Sequence, residues 1–148
     1  MRLIEDQKKY IEIIAKELNY QKLYNFVASS SCGAIDIFIG TVRCHAEGQS
    51  VKAIEYHGYP EMAEKELALI CENAMKKWPV YRVAVQHRLG LLQLKEASVM
   101  IMVSSAHRAE TFAACKFIIE EIKVNLPIWK KEIFVDGKRQ WKNTSFMP

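Results

Sequence analysis

No two cysteines of this 148-residue chain stand close enough in sequence to begin a metal site, and no apolar run nears the ~20 residues of a membrane-spanning helix. The four present, Cys32, Cys44, Cys71 and Cys115, are scattered and have no histidine at zinc-ligand spacing. Cys32, Cys71 and Cys115 fall among apolar residues and are expected to be reduced packing residues. Cys44 falls in a polar stretch, where a reactive thiol stays open. The P-loop, GxGxxG, HExxH and GxSxG signatures are missing too. The first ten residues, MRLIEDQKKY, are charged and lack the apolar core of a signal peptide, so a cytosolic location is expected. No linker, repeat or low-complexity segment interrupts the chain, and one domain over residues 1–148 is the simplest reading.

What is present is ordinary in bulk: half the residues are hydrophobic and 26% are charged, as in a globular domain. The net charge of +4 is mild, yet Lys116, Lys123, Lys130, Lys131, Lys138, Arg139 and Lys142 crowd the last third. An anionic partner is one reading of that crowding, whether nucleic acid, phosphorylated small molecule or acidic protein. A solvated lysine-rich face is the other.

Along the chain, Tyr10–Ala15 suits a short strand. Asn19 is placed to cap a helix through about Ser29, with Tyr20, Leu23, Phe26 and Val27 on one side. Gly33–Val42 alternates as a strand with Ile35, Ile37 and Ile39 on one face, and Gly40 near its end suggests a bulge or a close backbone approach. The polar segment Cys44–Ser50 is expected to be a mobile loop, and Val51–Tyr56 a strand antiparallel to the previous one. Pro60 suits the first turn of a helix to about Lys77 with Ala63, Leu67, Ile70 and Ala74 facing the core, ended by Trp78-Pro79. Val80–Gln86 alternates as a strand, and His87-Arg88-Leu89-Gly90 is either a turn or a site. Asp136-Gly137 signals a C-terminal hairpin. Strands alternating with three helices point to an α+β (mixed α/β) fold.

The stretch from Ser104 to Glu132 organises the rest. A strand, Ser98–Val103, passes into a helix whose apolar stripe is expected to be Phe112, Cys115, Ile119, Ile122 and Leu126. Lys123 lies within roughly 60° of the middle of that stripe, where it either snorkels or points into a cleft. Pro127 stops the helix, and Trp129-Lys130-Lys131-Glu132 follows, with strand alternation sending Lys130 and Lys131 to opposite sides. His107 and Arg108 stand at the helix entrance, where free backbone N–H groups attract anions. They are about 24 Å from Lys123 along a straight helix. One substrate touching both ends would need the Lys130 segment, or another chain, to bend back. On residue patterns alone the chain is a basic, anion-binding α/β domain.

Six blocks then occur in order: Phe38-Ile-Gly-Thr-Val-Arg43, Glu55-Tyr56, Tyr59-Pro-Glu-Met-Ala63, His87-Arg-Leu-Gly90, Ser105-Ala-His-Arg108 and Pro127-Ile-Trp-Lys-Lys-Glu132. Together they resemble the large, catalytic subunit of molybdopterin synthase, in register from about Ala34 to Trp141. The resemblance implies an α/β hammerhead-like fold and a homodimer that forms the core of a heterotetramer. A small ubiquitin-like subunit inserts a Gly-Gly tail bearing a thiocarboxylate at each end. Two sulfurs pass to cyclic pyranopterin monophosphate and give the dithiolene of molybdopterin, with no resident cofactor or metal and no nucleic-acid or membrane partner. It further implies catalytic roles for Lys123 and Lys130. Phe38, Thr41, Val42, Arg43, His107, Arg108, Lys123, Lys130, Lys131 and Glu132 match its substrate-site positions. His57-Gly58 departs from the family's frequent Glu-Ala, which concerns the surface after that strand. Two rivals use the same residues: a non-enzymatic basic module binding RNA or another anion, and an inactive homologue that retains only partner binding.

Overall fold

The structure, a computed structural model, describes residues 2–142. The first half contains β1 (Arg2–Glu5), β2 (Lys9–Ile14), α1 (Tyr20–Val27), β3 (Ala34–Thr41), β4 (His45–Ala46), β5 (Gln49–Gly58) and α2 (Pro60–Lys77). The second contains β6 (Arg82–Arg88), β7 (Gly90–Gln93), β8 (Ala97–Ser105), α3 (Arg108–Asn125), β9 (Ile128–Phe134) and β10 (Arg139–Lys142). One sheet has the order β1-β2-β6-β8-β3, parallel only between β2 and β6. The other runs β10-β9-β5-β4, antiparallel throughout, with β7 also on β5. This is a mixed α+β fold with two sheets and three helices.

The period-two pattern of the central strands sorts side chains to the two faces of the first sheet. Ile11, Ile13, Val83, Val85, Val99, Ile101 and Val103 join the main core, which is closed by Ala63, Leu67, Ile70 and Ala74 of α2 and Ala114 and Ile118 of α3. Tyr10, Ala84, Met100 and Met102 go the other way, against Leu23 and Val27 of α1. A third cluster, Val42, Val51, Ile54, Leu92 and Phe134, holds the second sheet. Helix signals act where expected. The Asn19 side chain accepts from the Lys22 N–H at 3.0 Å, Pro60 starts α2, and α2 stops at Trp78. Asp136-Gly137 turns β9 into β10.

Three expectations need correction. The strand over Val51–Tyr56 does not pair with β3: β5 takes β4, β7 and β9 as neighbours in the second sheet, and β3 pairs with β8. The register shift between Gly40 and Thr41 ends the first pairing, and the Val42 backbone then bonds Glu96 and Lys95 as the chain leaves that sheet. The polar segment Cys44–Ser50 contains a tight hairpin, β4 to β5, turned by Glu47 (φ 50°) and Gly48 (φ 77°). The stripe on α3 is displaced as well. Its buried residues are Thr111, Ala114, Cys115, Ile118 and Ile122, whereas Phe112 is 57% exposed. Thr111 can be buried because its hydroxyl donates to the Arg108 carbonyl at 2.8 Å, a local solution that a count of apolar residues misses.

Candidate active site

Where the two sheets meet beside the last turns of α3 lies a cleft of about 370 Å³. Phe38, Gly40 and Thr41 of β3 line it with Arg43 just beyond that strand, Ile54 and Tyr56 of β5, Lys123 of α3, and Lys130 and Glu132 of β9. A smaller chamber of about 60 Å³ shares Tyr56, Ser98, Lys123 and Lys130 with the cleft, and adds His87 and Trp129 to its wall. A larger groove of about 590 Å³ lies at the start of α1, but its deepest polar residue is occupied. The Gln86 side chain accepts from the Asn19 N–H and donates to Glu12. Chemistry concentrates in the cleft instead.

Strand geometry selects which cations face it. Alternation along β9 turns Lys130 and Glu132 inward and Lys131 to the opposite face. There Lys131 Nζ lies 3.3 Å from Glu55 Oε1 and 4.8 Å from the centre of the Trp141 ring. The His57 hydrogen bond and then Lys131 hold the Glu55 carboxyl below its ordinary value against the effect of burial. On the cleft face, Lys142 lies opposite Lys130 in register, with its Nζ 3.8 Å from Glu132 Oε1 and 3.0 Å from Glu47 Oε1. Glu132 is 5% exposed, and its Oε1 has no hydrogen-bond partner among the described residues. At the rim, Gly40 is required by packing: a Cβ there would lie 2.9 Å from Val99 Cγ1 and 3.4 Å from the Phe38 ring.

The cleft is electropositive. Burial, and next the charge of Lys123, hold the Lys130 amine below its ordinary value. Arg43 and Lys142 add to the effect, and Glu132 opposes it. Burial, with a smaller push from Lys123, brings His87 down to about 4. Burial raises the Tyr56 phenol, with Ser98 opposing. At neutral pH the chamber therefore presents a neutral imidazole and a neutral phenol beside two lysines. Such an arrangement can hold an anion, stabilise developing negative charge and deliver a proton. Among the described residues no cluster of three or more His, Cys, Asp or Glu could hold a metal ion.

Of the residues singled out from sequence, Phe38, Thr41, Arg43, Lys123, Lys130 and Glu132 meet in this one cleft. Val42 is buried beneath it, with its backbone bonded to Glu96 and Lys95 on either side, so it anchors Arg43 from below. Lys131 lies on the far face of β9. His107 and Arg108 are exposed at the other end of α3, about 24 Å from Lys123 by helical rise, and line neither cavity. Within one chain the Lys130 segment does not bridge that gap. Glu55 contacts His57 and Lys131, and Glu61 contacts Lys65. Cys44 is exposed, Cys71 and Cys115 are buried, and Cys32 is half-buried. Tyr56 and Ser98 were not singled out as site residues, and His87 stood open between a turn and a site. The signal for His87 was its place in register with Val83 and Val85 on β6.

A family model described as "MoaE protein" matches residues 13–125. A molybdopterin synthase catalytic subunit of Rattus norvegicus is 44% identical over 140 residues, spanning 95% of this chain and 70% of that protein. The catalytic subunit of Thermoplasma volcanium is 46% identical over 132 residues, spanning 89% of this chain and 96% of its own length. The crystal structure of molybdopterin synthase from Staphylococcus aureus superposes with a TM-score of 0.85 at 35% identity, covering 95% of this chain and 99% of that one.

Proposed function

The chain belongs to the MoaE protein family, and from that premise we propose how it works as the catalytic subunit of a molybdopterin synthase, a sulfurtransferase of molybdenum cofactor biosynthesis. One observation carries the reading: Lys123 from α3 and Lys130 from β9 line one cleft with Arg43. Sulfur arrives as a thiocarboxylate on the C-terminus of a small ubiquitin-like subunit and passes, twice, to cyclic pyranopterin monophosphate. A thiocarboxylate is already a nucleophile, so the protein's tasks are position, charge and protons. Arg43 and the two lysines take the anionic groups, Phe38 and Thr41 shape the wall, and Glu132 sets the balance of charge around Lys130. Lys123 and Lys130 stabilise the charge that develops as the cyclic phosphate opens, and protonate the leaving oxygen.

His107 and Arg108 belong to the same site through a homodimer in which the α3 entrance of one protomer faces the cleft of the other. With one small subunit at each end, the assembly is a heterotetramer. The chain acts as a single domain in the cytosol. Support for an enzyme over an RNA-binding module comes from the basic residues, which converge inside a cleft rather than alternating with aromatics on an open face. Arg43, Lys123 and Lys130 meeting in one cavity speaks against an inactive homologue. The test mixes the protein with a thiocarboxylated small subunit and cyclic pyranopterin monophosphate, and measures dithiolene. Product is expected only when all three are present; its absence with a folded, docked small subunit would refute the reading.

A further inference from the structure

His87 has no part in the chemistry above, yet with Ser98 it is one of the two most buried polar side chains of the chamber. It closes β6 on the face of Val83 and Val85. Those two meet apolar side chains of the core, whereas His87, 5% exposed, meets the chamber shared with Tyr56, Ser98, Lys123 and Lys130. The Tyr56 ring packs edge-on against it at 5.5 Å. Its Nδ1 lies 3.2 Å from the Arg88 carbonyl oxygen, which can only accept, so Nδ1 carries the ring proton. Nε2 is then a bare acceptor on the opposite side of the ring.

A buried acceptor takes a donor, and the chamber offers few. The Ser98 hydroxyl is committed to the Gly40 carbonyl at 3.3 Å, and Tyr56 meets the imidazole through its ring edge. Lys130 projects from β9 beside Glu132. Lys130 lines the chamber too, but Lys123, in the last turn of α3, is the lysine whose charge acts on the His87 ring. We propose that His87 is a positioning residue for Lys123: its Nε2 accepts a hydrogen bond through one water held by Lys123 Nζ, and so keeps that amine at the boundary of chamber and cleft. A lysine on a helix end otherwise samples many rotamers, and only a few aim it at a bound substrate. The ionisable groups facing the imidazole are Lys123 from α3, Tyr56 from β5 and Lys130 from β9. None is a carboxylate, so nothing in the chamber draws a proton onto Nε2. The proposal rests on the sulfur-transfer reading for its consequence, though not for its geometry.

The geometry is tested in the intact chain labelled with 15N-histidine. A long-range 1H–15N spectrum should show His87 neutral and protonated on Nδ1 from pH 5 to 8, and its Nε2 resonance should move in Lys123→Met. An Nε2–H tautomer, or an Nε2 resonance indifferent to Lys123→Met, would overturn the proposal even if every His87 variant failed to fold. Kinetics in the complex with the thiocarboxylated small subunit test the consequence. His87→Gln can place its amide oxygen where Nε2 stood, and should keep kcat within about threefold of wild type. His87→Asn reaches only the Nδ1 position; kcat should fall about 100-fold at unchanged KM, as for a misplaced catalytic group, with a displaced pH profile. Equal losses in both variants, or a wild-type pH profile in His87→Asn, would reduce His87 to a structural residue. A wild type that transfers no sulfur would refute the functional reading and leave the spectral result standing.

Discussion

His87 should leave a mark on stability that needs no substrate to see. Its imidazole ionises near 6.5 in an unfolded chain and about 4 in the folded one, because burial, and secondarily Lys123, exclude the charged form. Between those values the unfolded chain binds a proton that the folded chain refuses, so stability falls as pH falls. The contribution is whole above pH 6.5 and gone below about 4. At 1.36 kcal/mol for each tenfold change in proton activity, the loss is roughly 3 kcal/mol, a large share of a typical domain's 5–15 kcal/mol. The perturbation is His87→Gln, which fills similar space and cannot titrate. Urea unfolding at half-unit steps from pH 7.5 to 4 gives a free energy for each protein. Paired carboxylates such as Asp6 and Glu55 affect both proteins alike and cancel in the difference. The wild-type advantage over the variant should be flat above pH 6.5 and shrink by about 3 kcal/mol by pH 4. Parallel curves, within about 1 kcal/mol over that range, would mean the ring is charged or solvated when folded, and the description of the chamber would be wrong.

Other outcomes follow from the same cleft. Lys130→Met keeps the stem and removes a charge held in unfavourable surroundings; thermal melts should show stability unchanged or raised, while dithiolene formation falls at least ~100-fold. The wild type, unlike that variant, should gain stability as pH rises through the interval between the lowered Lys130 value and 10.5, since there the unfolded chain holds the extra proton. Gly40→Ala forces a methyl to within 2.9 Å of Val99 Cγ1 and should cost about 1–3 kcal/mol in urea unfolding, with weaker substrate binding as Phe38 shifts. Arg108 lies outside the cleft, so Arg108→Ala tests the proposed dimer: it should weaken substrate binding by about 1.5–3 kcal/mol in calorimetry and leave folding intact, and unchanged affinity would remove Arg108 from the site.

The elements were legible wherever a local signal was strong. Asn19, Pro60 and Asp136-Gly137 each act through their own backbone, and the structure follows them. Pairing was not legible. β3 and β5 are adjacent in sequence and both apolar, and only the shift at Gly40 and the bonds of Val42 to Glu96 and Lys95 separate them into two sheets. The helix stripe was legible only in part: Cys115, Ile122 and Leu126 are buried as expected, but Ala114 and Thr111 are buried by neighbours that periodicity cannot see, and Phe112 is left outside. Half of the site could be anticipated, since alternation alone sends Lys130 and Lys131 apart. His87 could not be separated from a turn residue, because what distinguishes it is the chamber built by α3, β5 and β9 around it.

That alternation also explains why Lys131 belongs to the motif although it faces away from the cleft. Lys130-Lys131-Glu132 is nearly degenerate under a one-residue slip: a lysine would still enter the cleft, but Glu132 would leave it, and Trp129 would move from the far face to the cleft side. Backbone hydrogen bonds between β5 and β9 do not oppose such a slip strongly, since a shifted ladder forms bonds of the same kind. Side chains on the far face do. Lys131 is clamped between Glu55 and the Trp141 ring, with His57 edge-on to that ring at 5.1 Å. These cross-strand pairs span β5, β9 and β10 in a single row and are satisfied in one register only. Beside them Trp129, 8% exposed, packs edge-on against Tyr59 at 5.4 Å and resists any move. The outward lysine thus fixes which lysine turns inward, and a cleft that must aim one amine at a narrow target depends on both.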